Sequence, residues 1–134
     1  LSLINRNRGS GTRILMDFHL SKIAASKGIK LDELTREIQG YSSEAKSHSA
    51  VAAAVAHGRA DAGVGIKTVA VQYDLDFVKI ADESFDFLLA KDDLVKPAVQ
   101  SFLTALRSKE FASSLSAKAP GLKPGPGTGT VLVS

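Results

Sequence analysis

Arg6, Arg8 and Arg13 bracket a run of small residues, Gly9-Ser10-Gly11-Thr12, in the stretch INRNRGSGTR near the start of the chain. The residue types suit one chemistry, the holding of an oxyanion. The first N–H groups of a helix lack intrahelical acceptors and carry the positive end of its dipole, so a glycine loop ahead of a helix can aim several donors at one anion. Gly9 and Gly11 allow close backbone approach, Ser10 and Thr12 add hydroxyls, and a guanidinium offers forked donors to an oxyanion. The plainer reading is that Ser10 or Thr12 caps the helix, the glycines turn the chain and the arginines sit in water. The run lacks the Gly-Lys-Ser/Thr ending of a P-loop and the third glycine of a dinucleotide fingerprint.

A second place where the same logic applies is Ser47-His48-Ser49, directly ahead of the alanine-rich AVAAAVAHG. His48 there could face an anion. His19 falls within the first helix and His57 in the last turn before Gly58, so the three histidines are too scattered to share a metal. Asp61 in GRADAG could serve as a catalytic carboxylate, or simply make hydrogen bonds at a helix-to-strand turn. Asp82, Glu83 and Asp86 read as a solvated acidic edge. Ser42, Ser43, Ser47 and Ser49 have no base and carboxylate at a spacing that suggests nucleophilic catalysis.

The elements that must position these residues alternate between strand and helix. LSLIN reads as a strand, and TRILMDFHLSKIAASKG as a helix in which Ile14, Leu15, Phe18, Ile23 and Ala24 recur near helical spacing and Gly28 gives the stop. Asp32 is the expected cap of a short helical piece, with Ile38 leading an extended stretch that Gly40 breaks. The alanine helix ends at Gly58, ADAGVGI is a short strand, and KTVAVQYDL can begin a helix after Ile66. DFVKIA and FDFLLAK carry the aliphatic and aromatic content of two further strands. One helix is expected across DDLVKPAVQSFLTALRSKEFASSLSAKAPG, with Pro97 in its first turn and Val99, Phe102, Leu103 and Leu106 on its apolar side. Strands alternating with helices predict an α/β layer fold with mostly parallel pairing, whose ligands sit beyond the carboxyl ends of the strands.

The bulk numbers narrow the class. A chain of 134 residues with 44% hydrophobic content suffices for one domain or one lobe of a larger one. Seventeen basic and fourteen acidic side chains give a net charge of +3, with no basic block, so nucleic acid is not an expected partner of this segment. There is no cysteine, which removes disulfides and thiolate chemistry. No apolar run approaches the ~20 residues of a membrane span, so a soluble protein without a membrane partner is expected. The start at Leu1, already within a strand pattern, suggests that something preceding it was processed or left out.

Two stretches together, NRNRGSGTR and GYSSEAKSHSAVAAAVAHGRADAGVGI, resemble the type II periplasmic-binding-protein-like domain, over roughly residues 3 to 120. The nearest likeness is to the cytoplasmic versions attached to molybdopterin-biosynthesis proteins of the MoeA type, or to helix-turn-helix regulators of the molybdate response. The resemblance implies two α/β lobes closing over a ligand. It assigns 1–66 to the second lobe, 67–120 to a return into the first lobe, and 121–134 to a Gly/Pro-rich tail. It implies ligand contacts at Ser10, Gly11 and Thr12, at Ser47 and His48, and at Ile66 and Lys67. One of Arg6, Arg8 or Arg13 would pair with the ligand, as an arginine does in phosphate-binding relatives.

A complete member carries a first-lobe segment ahead of this point, so either a missing lobe or a second copy is the expected partner. The implied function is non-catalytic binding or sensing of a small oxyanion such as molybdate or tungstate, or of a phosphate-bearing pterin, with no cofactor and a cytoplasmic location. The alternatives are an enzyme or enzyme subunit of molybdenum-cofactor assembly using His48 or Asp61, and an oligomerising module with a vestigial cleft.

Overall fold

The computed structural model describes residues 1–132, so the last two residues of the tail lie outside the described part. The chain divides into two compact units, Leu1–Phe77 and a second beginning at Val78. The first unit runs past Ile66 because the helix that follows packs on the alanine-rich helix before it.

The first unit is built on a parallel sheet of three short strands, β1 (Leu3–Arg6), β2 (Glu44–Ala45) and β3 (Ala62–Gly63), in the order β2-β1-β3. Asn5 and Arg6 pair with Glu44 and Ala45 on one side, while Leu3 and Ile4 pair with Ala62 and Gly63 on the other. Between β1 and β2 come α1 (Gly11–Ser26) and α2 (Leu31–Glu37). Helix α3 (His48–Ala56) crosses back from β2 to β3, and α4 (Lys67–Gln72) follows β3. The mixed α/β architecture and the parallel pairing expected from the alternating pattern are therefore present.

Alternation along β1 sorts its side chains between the two faces. Asn5, with no exposed surface, donates from Nδ2 to Tyr41 O at 3.3 Å, on the side where α1 and α2 lie. On that side Leu20 and Ala24 of α1 close on Leu34 of α2, with Met16, Ile38 and Tyr41 packed around them. Ile4 faces the other way. A Cβ added at Gly63 would run into Val51 Cγ1 and lie 2.9 Å from Ile4 Cγ2, so α3 rests on this face against a strand position that has no room for a side chain. Val51, Ala52 and Ala54 are buried there.

Local chemistry explains the boundaries. Ser10 and Ser47 cap α1 and α3 by accepting from Arg13 N and Ala50 N, at 3.2 and 3.1 Å. Helix α2 starts one residue earlier than expected: Lys30 is its cap residue, Glu33 reaches back to Lys30 N at 3.2 Å, and Asp32 lies in the first turn. Gly40 takes φ +80°, and a Cβ there would meet the Leu3 backbone, which fixes the turn leading to β2.

Two expectations fail in the later part of the chain. Among the described residues DFVKIA and FDFLLAK form no strand, because a strand needs a neighbouring edge to pair with and none is supplied to them. The single helix expected after Asp92 is three pieces: a 3₁₀ turn over Lys91–Val95, then α5 (Pro97–Leu106) and α6 (Lys109–Lys118). Pro97 takes the first helical position, and Ser108 restarts the chain by accepting from Phe111 N at 3.0 Å. Leu103 is the buried residue of α5. On α1 the helical spacing holds, but Ile14, Phe18 and Ile23 are exposed and Leu20 and Ala24 carry the burial. No helix is long and apolar enough to cross a membrane among the described residues.

Candidate ligand-binding site

Three parallel strands deliver three chain segments to one edge of the sheet, each turning into a helix. The first runs from Arg6 to Ser10. Ser10 N donates to Asn7 O at 3.2 Å, which folds the loop tightly, and the Ser10 cap uses the N–H of Arg13. The N–H groups of Gly11 and Thr12 consequently have no acceptor within α1. Thr12 is buried and Gly11 exposed. The second segment passes Lys46 and Ser47 into His48, and the Ser47 cap leaves the N–H of Ser49 without an intrahelical acceptor. In the third, Ile66 precedes α4 in extended backbone with no side-chain cap, and Lys67 is exposed. Gly65 lies beside His48, since a Cβ on it would be 3.9 Å from His48 Nδ1.

Hydrogen bonds lock the first two segments together. Asn7 N donates to Ala45 O at 3.1 Å. The Arg6 guanidinium spans the same gap, giving Nε to Ala45 O at 3.3 Å and Nη2 to Lys46 O at 3.2 Å. The connection after β1 leads to one neighbouring strand and the connection after β2 crosses back over β1. With right-handed crossovers the two chains leave the sheet on opposite faces, the topological position at which open α/β sheets take ligands. Arg6 and Ser10–Thr12 thus belong to the segment that follows β1, Ser47 and His48 to the one that follows β2, and Ile66 and Lys67 to the one that follows β3.

Arg13 and Arg8 are drawn to carboxylates, and Arg13 Nη1 also reaches Arg6 O at 3.4 Å. Arg13 is 4% exposed and its Nε sits 3.0 Å from both carboxylate oxygens of Asp17. Its Nη1 approaches Glu44 Oε1 at 3.4 Å, and its Cζ stands 4.3 Å from the centre of the Tyr41 ring. Tyr41 OH donates to Asp17 Oδ1 at 2.7 Å. Burial, and then that bond to a carboxylate, push the Tyr41 phenol above its ordinary value. Arg8 and Arg13 line an open groove of about 780 Å³ bordered by α1, α2 and the 38–42 loop. The spacing of Arg13 and Asp17 is readable as a helical i, i+4 pair, but Tyr41 and Glu44 have no sequence signal that joins them to it.

Asp61 sits at the amino end of the strands, opposite the loops that lead into α1 and α3. Its Oδ2 accepts from Ser2 N at 2.6 Å and from Ser2 Oγ at 2.9 Å, closing the amino end of β1 onto the turn before β3. These bonds hold its carboxyl below the usual aspartate range.

Residues 1–107 match the PBP superfamily domain. The chain belongs to that superfamily. It is 31% identical over 117 residues to the uncharacterized protein YvgK of Bacillus subtilis (strain 168), a match that covers 87% of this chain and 34% of YvgK. It is 34% identical over 79 residues to an uncharacterized protein in the ferredoxin 2Fe-2S gene 5' region of Clostridium pasteurianum, covering 58% of this chain and 70% of that protein. The chain thus spans about a third of the length of YvgK. No solved structure gives a significant match. Superfamily membership points to ligand binding.

Proposed function

We propose that this PBP superfamily chain contributes one wall of a non-catalytic site for a small oxyanion, molybdate or tungstate in kind, or for a phosphate-bearing pterin. The observation that supports this reading best is the delivery of Ser10–Thr12 and Ser47–His48 to the same end of a parallel sheet, with a guanidinium strung between them. Amide donors at helix starts favour negative solutes, each worth about 0.3–1 kcal/mol when exposed to water. A single wall of this kind binds weakly, and a facing lobe that excludes water would raise the affinity. That lobe would come from sequence outside this chain or from a second copy.

Calorimetric titration of the intact protein with molybdate, tungstate, sulfate and inorganic phosphate tests the proposal. The double variant Ser10→Ala/Thr12→Ala is expected to weaken the best-bound anion by roughly tenfold or more, the loss of two polar contacts at about 1 kcal/mol each. Equal heats for the two proteins, or no heat from either, would remove the basis for an anion site.

A further inference from the structure

The loop that enters α1 is tied at both ends by one residue. Arg13 N donates to Ser10 Oγ at 3.2 Å, and Arg13 Nη1 reaches back to Arg6 O, at the end of β1, at 3.4 Å. Gly11 and Thr12 stand between these ties. The direction of their amides, which have no acceptor within α1, therefore follows from where Arg13 is held.

Arg13 is held by contacts that run out to the 38–42 loop and return. Its Nε is 3.0 Å from both carboxylate oxygens of Asp17, one helical turn further along α1, and its Cζ stands 4.3 Å from the centre of the Tyr41 ring. Tyr41 OH donates to Asp17 Oδ1 at 2.7 Å, so one side chain fixes both the carboxylate and the face of the guanidinium. Tyr41 is anchored in turn. Its carbonyl accepts from Nδ2 of the fully buried Asn5, whose Oδ1 accepts from Arg6 N at 3.1 Å. The contacts thus close a ring from β1 through Tyr41, Asp17 and Arg13 back to β1. A guanidinium as buried as this one keeps its position only while its partners stay in place, because a buried charge that loses a partner is left uncompensated.

We infer that Tyr41 is a positioning residue for the anion loop: acting through Asp17 and Arg13, it sets the Gly11 and Thr12 amides without touching the ligand. This assignment rests on the oxyanion reading given above. It gives Arg13 a structural task, with its charge met by Asp17 and Glu44 rather than by a ligand. Tyr41 borders the open groove, so solvent reaches it, and loss of the phenol proton breaks the bond to Asp17. The charged groups around it are Arg13 and Asp17 of α1, Glu44 of β2 beyond Arg13, and Arg8, Asp32 and Arg36 along the groove. Carboxylates and guanidiniums ordinarily keep their charge between about pH 8 and pH 11.5, the range in which a phenol ionises.

Titration of the intact protein and of Tyr41→Phe with molybdate, tungstate, sulfate and inorganic phosphate at about pH 8 tests the assignment. Tyr41→Phe keeps a ring over Arg13 and loses the hydroxyl, and should weaken the best-bound anion roughly threefold or more, as for the loss of one hydrogen bond to a charged group. The pH profile separates positioning from mere support. Molybdate, tungstate and sulfate stay dianions throughout the alkaline range, so the parent's affinity for them should fall more steeply there than that of Tyr41→Phe, which has no phenol to ionise. Tyr41→Phe binding like the parent, or the two pH profiles running parallel, overturns the assignment while leaving an anion site in place.

Should Tyr41→Phe lose its melting transition, the parent decides the matter through the ¹³C resonance of the Thr12 methyl group. In protein without anion, a shift of that signal with the same midpoint as the Tyr41 ring signals supports the assignment, and an unmoved signal overturns it. A parent that binds none of the four anions overturns the oxyanion reading, and the assignment with it.

Discussion

At the scale of single residues, the type of a side chain and its partner turn out to be separable questions. Three guanidiniums near one loop are visible in the sequence, but which of them is neutralised depends on Tyr41 and Glu44, distant in sequence and brought in by the parallel pairing of β1 with β2. Asp61 shows the same point from the opposite end of the sheet. Local hydrogen bonding was the plainer expectation for it, and its partner is Ser2, 59 positions away. Because Ser2 lowers the folded-state pKa of Asp61 below the unfolded value, the stabilisation is complete above the unfolded value of about 3.9 and is lost as pH falls through the lower folded value. Asp61→Asn removes that proton linkage. The fall in melting temperature as pH drops below about 4 should therefore be shallower in Asp61→Asn than in the parent, as followed by circular dichroism. Parallel pH profiles would mean that the carboxylate adds nothing in solution.

At the scale of elements, the sequence is most readable where local chemistry decides. The Ser47 cap, the run of alanines and the stop at Gly58 define α3 without help from the rest of the chain. The strand β2 is not readable in that way: Glu44 and Ala45 sit in a polar stretch, and only pairing with Asn5 and Arg6 makes them a strand. DFVKIA and FDFLLAK are the converse, with good strand composition and no edge to join. Gly63 belongs with β2, since its need for a bare Cα comes from Val51 and Ile4 closing over it. Gly63→Ala should push α3 off the sheet and cost about 1–3 kcal/mol, the usual penalty for overfilling a packed contact. Urea unfolding measures this directly as a lower midpoint, and an unchanged midpoint would show that α3 can shift freely. The same displacement would carry Ser47 and His48 with it, since Val51 lies in the turn of α3 that they begin.

At the scale of the whole molecule, each unit must account for its own apolar surface. In the first unit the layers on both faces of the sheet do so, apart from Leu1, from Ile14, Phe18 and Ile23 of α1, and from Val71 and Phe77. From Val78 onward the accounting is different, with Phe85 at 67% and Leu88 at 96% exposed, and Val78 and Phe87 exposed beside them. Phe87 retains an edge-to-face contact with Phe102, ring centres 5.0 Å apart, but that covers one side of one ring. Apolar side chains exposed in this number along one short segment favour association with whatever can cover them. Residues 1–134 expressed alone should therefore self-associate with rising concentration, seen as a concentration-dependent mass by sedimentation. Phe85→Ser/Leu88→Ser should return the chain toward a monomer without moving the far-ultraviolet spectrum, because neither side chain supports a regular element. A parent that stays monomeric at all concentrations would mean that these side chains find cover within their own chain. If the double variant instead associates as the parent does, the apolar face of α1 becomes the surface responsible, and Phe18→Ser is the change that should then release it.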